Sequence, residues 1–145
     1  MNPARGSLTP RGRILLCMQT RHHQKQTLRS EIRDERAATT FERQVAHLFR
    51  SLGYRVHRRP ATHDLGVDVV ITRPGWRAIV QCKHWRHPVG PACVRDLYGT
   101  LHHTGADLGI LATTSTISRS AERFADGKPL LLIDGAILRL LISHL

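Results

Sequence analysis

An α/β sandwich, with a mixed central sheet and helices on both faces, is the fold class predicted by three features of this 145-residue chain. Helical and strand-like segments alternate in the order helix, three strands, helix, strand, helix, strand, helix. Two apolar runs, Gly66-Val67-Asp68-Val69-Val70-Ile71 and Ala78-Ile79-Val80-Gln81-Cys82-Lys83, are joined through a turn at Pro74-Gly75. A third run, Leu108 to Thr113, is continuously apolar, as strands buried on both faces are.

The elements follow in order. Phe41, Val45, Leu48, Phe49 and Leu52 recur at helical spacing, and Gly53 supplies the stop. This ordered part is expected to begin at Thr39 or Thr40. A first strand is predicted at Tyr54 to His57, then strands at about 65–72 and 77–84. A second helix starts after Gly90-Pro91, carries Val94, Leu97, Tyr98 and Leu101 on one face, and ends at Gly105. Leu108 to Thr113 follows as a strand. Ser118 caps a short helix through Phe124, stopped at Gly127. Leu130 to Ile133 is the last strand, and Asp134 caps a final helix to His144.

Residues 1–36 differ in composition and are expected to form a basic, disordered arm, partly helical over 27–36. Residues 37–145 then form one domain of ordinary size, since domains most often run to roughly 100–150 residues. The arm carries no recognisable helix-turn-helix pattern. Three cysteines (Cys17, Cys82, Cys93) make no disulfide framework, and a cytoplasmic protein is expected. No stretch approaches the roughly 20 apolar residues of a membrane span. Lys and Arg number 22 against 11 Asp and Glu, for a net charge of +11. Arginine dominates the excess, and its planar fork suits phosphate, so nucleic acid is the expected partner. A basic surface serving only solubility is the plainer alternative.

One acid stands inside an apolar run at Asp68, and a lysine closes the next run at Lys83. Each charge loses several kcal/mol of hydration on burial unless it is paired or used. Gln81 and Lys83 share a strand face, opposite Cys82. If the strands pair, Asp68, Gln81 and Lys83 converge. Phosphodiester hydrolysis needs an in-line water and relief of charge building on the phosphoryl and leaving oxygens. A hard cation such as Mg²⁺, or Mn²⁺ in its place, does this through oxygen ligands. Asp68 offers a carboxylate, Gln81 an amide oxygen and Cys82 its carbonyl. Lys83 would orient or deprotonate the water, or stabilise the pentacovalent phosphate. Local roles compete: Asp68 as a turn cap or arginine partner, and Lys83 as an edge-strand guard against aggregation. Glu42 has two readings that do not exclude each other. Thr39 to Glu42 matches a capping box, and Glu42 facing the sheet would help hold the metal or its water.

Arg58, Arg59, Arg73, Arg77, Arg86 and His87 are expected around the ends of the catalytic strands. Of these, Arg58, Arg59, Arg77 and Arg86 are the leading candidates for backbone phosphate contact, against an ordinary solvated rim. Trp85 stacks on a base or packs, and packing is favoured. Cys82, His84, His87 and Cys93 match no strong zinc spacing.

Phe41-Glu42, Val45-Ala46, Leu48-Phe49, Leu52-Gly53-Tyr54, Gly66-Val67-Asp68, Gln81-Cys82-Lys83-His84-Trp85 and Leu132-Ile133-Asp134-Gly135 together resemble the catalytic domain of Mrr-type restriction endonucleases. That domain belongs to the PD-(D/E)XK nuclease superfamily. The resemblance spans about residues 38–142. It implies a restriction-endonuclease-like sandwich and metal-dependent DNA cleavage. Asp68 would be the acidic ligand, Lys83 the superfamily lysine and Glu42 the first-helix acid. Gln81 stands where the superfamily has its second acid, a substitution familiar in the Mrr-type branch. It removes one negative charge from the site. Val67 replaces the proline before the acid.

The expected function is therefore a Mg²⁺-dependent endodeoxyribonuclease acting in defence against foreign or modified DNA. Double-strand cleavage would require a homodimer or two encounters, and a partner chain would be one source of specificity. The alternatives are a non-catalytic DNA-binding module on the same fold, or a branched-DNA (Holliday junction) resolvase.

Overall fold

The computed structural model describes residues 10–59 and 65–145, with side chains from residue 26 onward. Two units divide the chain, Met1–Arg36 and Ala37–Leu145. Helix α1 runs Pro10–Ser51. No Gly or Pro stands between residues 13 and 52, and Arg, Gln, Leu, Glu and Ala are good helix formers. Of residues 1–36, expected as a disordered arm partly helical over 27–36, residues 10–36 carry helix throughout, and residues 1–9 lie outside the described residues. The expected start at Thr39 is also corrected. Thr39 lies well inside α1, so the capping box at Thr39 to Glu42 does not form, because no helix terminus exists there to cap.

The second unit is a five-stranded sheet in the spatial order β1 (Arg55–Arg58), β2 (Val69–Arg73), β3 (Trp76–Lys83), β4 (Leu108–Thr113), β5 (Leu130–Ile133). β1 to β3 form an antiparallel meander, and β3, β4 and β5 run parallel. The turn between β2 and β3 uses Gly75 at φ 71°. The parallel connections pass through α2 (Pro91–Thr104) and α3 (Arg119–Ala125), and α4 (Gly135–Ser143) closes the chain.

The two-residue period of the strands divides the core between the sheet faces. Val69, Ile71, Ala78, Val80, Ile110, Ala112 and Ile133 pack with Phe41, Val45, Leu48 and Phe49 of α1 and Leu138 of α4. Ile79 and Leu111 pack on the opposite side with Leu97 and Leu101 of α2. Ser118 and Asp134 cap α3 and α4 through hydrogen bonds to Ala121 N–H and Ile137 N–H. Gly105, at φ 62°, ends α2.

Strand direction decides where chemistry can collect. The C-terminal ends of β1, β3, β4 and β5 and the N-terminal end of β2 meet at one edge. Arg58, Asp68, Lys83, Thr113 and Ile133 therefore lie at that edge, where ligands of parallel sheets characteristically bind. Arg55, Arg73, Trp76 and Arg77 lie at the other.

α4 begins against the same edge. Gly135 N–H donates to Ser115 O at 2.8 Å, and a Cβ at Gly135 would run into the Thr114 carbonyl. Backbone cannot yield as a flexible side chain does. Gly135→Ala is therefore expected to cost about 1–3 kcal/mol, as overpacking does. A lowered denaturation midpoint in urea checks this.

Candidate functional site

Gly66 adopts φ 64° ahead of β2, Val67 is buried, and Asp68 enters the sheet edge just before the ladder begins. Asp68 N–H donates to Val80 O at 3.0 Å, and Asp68 O accepts from Arg59 N–H at 2.9 Å. Its side chain continues the pairing: Oδ2 accepts from Cys82 N–H at 2.6 Å. Burial pushes the Asp68 carboxyl above its ordinary value by withdrawing water from the charged form. The Cys82 hydrogen bond opposes this, Glu42 adds to it, and Lys83 opposes it.

β3 carries the neighbours. Val80 O and Cys82 N–H both address the β2 side. A residue of an antiparallel pair directs its N–H and C=O to the same neighbour, so the Cys82 carbonyl addresses that side too. Lys83 O addresses β4, accepting from Thr113 Oγ1 at 2.8 Å and Thr114 N–H at 3.2 Å. The Cys82 side chain packs with the α1-side core, and burial pushes its thiol well up, with Asp68 and Glu42 adding. Gln81 is buried, and its Oε1 has no hydrogen-bond partner. Its Nε2 abuts Gly66 so closely that a Cβ there would stand 2.5 Å away. The Lys83 ammonium lies 5.1 Å from the centroid of the Trp85 ring, a cation–π distance. Trp85 itself packs with the α2-side core, as expected of it.

Glu42, on α1, receives a hydrogen bond from the Arg58 guanidinium at 3.3 Å. Both groups, with Asp68 and Lys83, act electrostatically on Cys82. Asp68, Gln81, Lys83, Glu42 and Arg58 thus come together. Arg59 joins them through its backbone, and Arg86 is exposed just after β3. Arg77 does not. It is the second residue of β3, six residues and roughly 20 Å of strand from Lys83. Its guanidinium is bound to Thr104 O, and its N–H to Asp107 Oδ2 at 2.8 Å. Arg73 likewise donates to Leu52 O at 3.1 Å and stacks 3.9 Å from the Tyr54 centroid.

Sequence reasoning missed the Gly66 contact, the anchoring of Lys83 by Thr113, and the Arg58–Glu42 pair. Gly66, two residues before the anomalous acid, was the available signal for the first. The other two arise between segments distant in the chain. A zinc grouping fails because Cys82 and Cys93 pack into cores on opposite sheet faces.

Among the described residues no cluster of three His, Cys, Asp or Glu side chains is arranged for a metal. The donors at this edge are of another kind: one carboxylate, the Cys82 carbonyl, and a buried amide oxygen lacking a partner. An orphaned buried acceptor costs about 1–3 kcal/mol, and a cation would satisfy it. An all-oxygen set suits a hard ion such as Mg²⁺ or Mn²⁺, so the residues present fit one.

A family model described as restriction endonuclease, the Mrr catalytic domain, matches residues 32–142. Among solved structures, the DNA modification-dependent restriction endonuclease AspBHI is similar with TM-score 0.59 and 24% identity, covering 72% of this chain and 30% of that one. The MspJI restriction endonuclease in complex with a 27-mer oligonucleotide gives TM-score 0.55 and 23% identity, covering 97% and 32%. A protein of unknown function, AF1548, gives TM-score 0.61 and 18% identity, covering 72% and 65%. These likenesses concern the fold. The chain spans less than a third of each endonuclease and just under two thirds of AF1548. No curated protein matches.

Burial of Asp68 makes a stability prediction. A raised folded-state pKa means that the folded protein keeps the proton to higher pH than the unfolded chain does. Stability from this residue is full below the ordinary carboxylate range and is lost as pH rises through the raised value. Asp68→Asn keeps an acceptor for Cys82 N–H without the charge. It is expected to melt a few degrees above wild type at neutral pH, with the difference vanishing in acid. Thermal melts across pH, monitored by circular dichroism, check this.

Proposed function

The chain belongs to the restriction endonuclease family of the Mrr catalytic domain, and on that premise we propose that it is a metal-dependent DNA endonuclease domain acting against foreign or modified DNA. The observation that carries this reading is the Asp68 carboxylate, kept half-buried against Cys82 N–H, with Gln81, the residue before Cys82 on β3, holding a buried Oε1 that has no partner. A fold selected for stability alone would not keep a charge where burial opposes it.

Asp68, Gln81 Oε1 and the Cys82 carbonyl would hold the divalent ion, which supplies electrostatic relief to the phosphate and lowers the pKa of water. Lys83 faces the reacting phosphate with its ammonium, steadied by the Trp85 ring and by the Thr113 anchor on its carbonyl. There it neutralises charge on the pentacovalent phosphorus or positions the attacking water. Glu42 accepts a hydrogen bond from that water and orients it. Arg59 and Arg86 lie beside this edge and neutralise flanking backbone phosphates without reading sequence. Arg77 is left out, since its guanidinium already serves Thr104 O. One such site cuts one strand, so a double-strand break takes two copies or two encounters. Specificity would come from a further domain or a partner chain.

A second reading, a DNA-binding module without catalysis, is favoured by Gln81 in place of an acid. Metal titration separates the two. In the nuclease reading, plasmid is nicked or cut with Mg²⁺ or Mn²⁺ and EDTA abolishes it. Asp68→Ala and Lys83→Ala each lower the rate by about 10²-fold or more, the weight of a positioned acid–base or electrostatic group. Full activity in both variants would remove the assignment, and salt-sensitive binding without metal uptake or cleavage would favour the module. Running methylated beside unmethylated plasmid tests the modified-DNA part.

DNA affinity is also expected to fall linearly on a logarithmic salt axis. Arg59→Ala should flatten the slope by about one unit, whereas Arg77→Ala should leave it unchanged. Fluorescence anisotropy at several salt concentrations measures both.

A further inference from the structure

Arg58 ends β1 opposite Val69, immediately beside Asp68. Its guanidinium is not directed to solvent as a bare phosphate-binding arm. It holds Glu42 Oε2 at 3.3 Å, and both side chains remain partly exposed, at 32% and 25%. The charges gathered around Cys82 are two carboxylates, Asp68 and Glu42, and two cations, Lys83 and Arg58. They cancel. Gln81 contributes no charge where a second strand acid would have contributed one. A divalent cation arriving at this edge therefore meets no net attraction while Arg58 occupies Glu42.

The ion pair is easily exchanged. Partly exposed pairs of this kind contribute little to stability, and α1 is held down by Phe41, Val45, Leu48 and Phe49, all buried. Releasing Glu42 would not undock the helix. A backbone phosphate offers Arg58 a second acceptor suited to its fork, with two oxygens in place of one. We propose that Arg58 is a positioning residue: it retains Glu42 in the DNA-free protein and cedes it to the metal site when a DNA phosphate takes the guanidinium. Divalent-ion binding and DNA binding are thereby coupled, and each strengthens the other by the same factor. The site is weakly charged for a metal until substrate arrives. This inference rests on the metal-dependent reading above.

The test uses the intact 145-residue chain and reads Mn²⁺ binding directly, by the paramagnetic resonance signal of free Mn²⁺, without DNA. Arg58→Gln is expected to bind Mn²⁺ about two- to fivefold more tightly than wild type, the size of one partly exposed ion pair. Arg58→Lys, which keeps the charge and a donor, should behave as wild type. In a Glu42→Gln background the Arg58→Gln gain should largely disappear, because the group Arg58 neutralised is gone. Circular dichroism melts confirm that each variant is folded. A second arm titrates a fluorescent duplex with phosphorothioate linkages, which resist hydrolysis, with and without Mn²⁺. Wild type should bind it more tightly with Mn²⁺, and Arg58→Gln should lose most of that enhancement. If Mn²⁺ binds wild type and folded Arg58→Gln equally, or the variant more weakly, the coupling role of Arg58 is overturned while the metal site stands. If neither protein binds Mn²⁺, the metal-dependent reading itself fails.

Discussion

The hydrogen bond from Cys82 N–H to the Asp68 carboxylate is the contact on which the rest of the edge depends. The β2–β3 ladder ends at the Val69–Val80 pair, with Asp68 N–H still bonded to Val80 O. Beyond it the chain turns away through Gly66 in the left-handed region, and where the ladder would next aim a backbone carbonyl at Cys82 N–H, that N–H meets a side chain. The Asp68 side chain takes that carbonyl's place. One atom then satisfies a sheet donor, which would otherwise be left orphaned, and fixes the carboxylate against β3. The bond favours the charged form, but burial opposes it more strongly. The carboxylate is thus held by geometry at a position that solvation disfavours.

Strand direction distributes the charges. The reversal between antiparallel β1–β2–β3 and parallel β3–β4–β5 sends the start of β2 and the ends of the other four strands to one edge. Arg58, Arg59 and Lys83 gather there with Asp68. The arginines of the β2–β3 hairpin go to the opposite edge and take structural partners: Arg73 on Tyr54 and Leu52 O, Arg77 on Thr104 O and Asp107. Net charge alone does not separate these groups. Five residues of strand, roughly 17 Å, are enough to remove a basic residue from a site.

The site is supported from behind by backbone packing and not by further charges. Thr113 and Thr114 tie the end of β3 to the loop after β4. Gly135 lets α4 approach that loop, and Trp85 joins the α2-side core while facing Lys83. The Thr113 and Thr114 contacts join segments about thirty residues apart, and the Gly135 contact joins segments about twenty apart. A loosened core would therefore disturb the chemistry as surely as loss of a charged group, since a small displacement of positioned groups is costly to rate.

The fold class, the order of the nine elements among the described residues and both faces of the sheet were legible in the sequence, because side-chain period and capping residues are local signals. Ser118, Asp134, Gly105 and the Pro74-Gly75 turn stand where their backbone geometry requires them. Local signals misled at α1. The Thr39 to Glu42 spacing reads as a helix start, yet no breaker precedes it and α1 continues back to Pro10. The anomaly of Asp68 and Lys83 on adjacent apolar strands, and the resemblance to Mrr-type domains, were also legible. What only the tertiary structure decided is how these groups meet. Asp68 bonds backbone and not Lys83, Gln81 keeps a buried side-chain oxygen without a partner, and Arg58 is spent on Glu42 from sixteen residues away. Periodicity reports which face a residue takes. The partner it finds there depends on strand register and helix docking, which are properties of the assembled sheet.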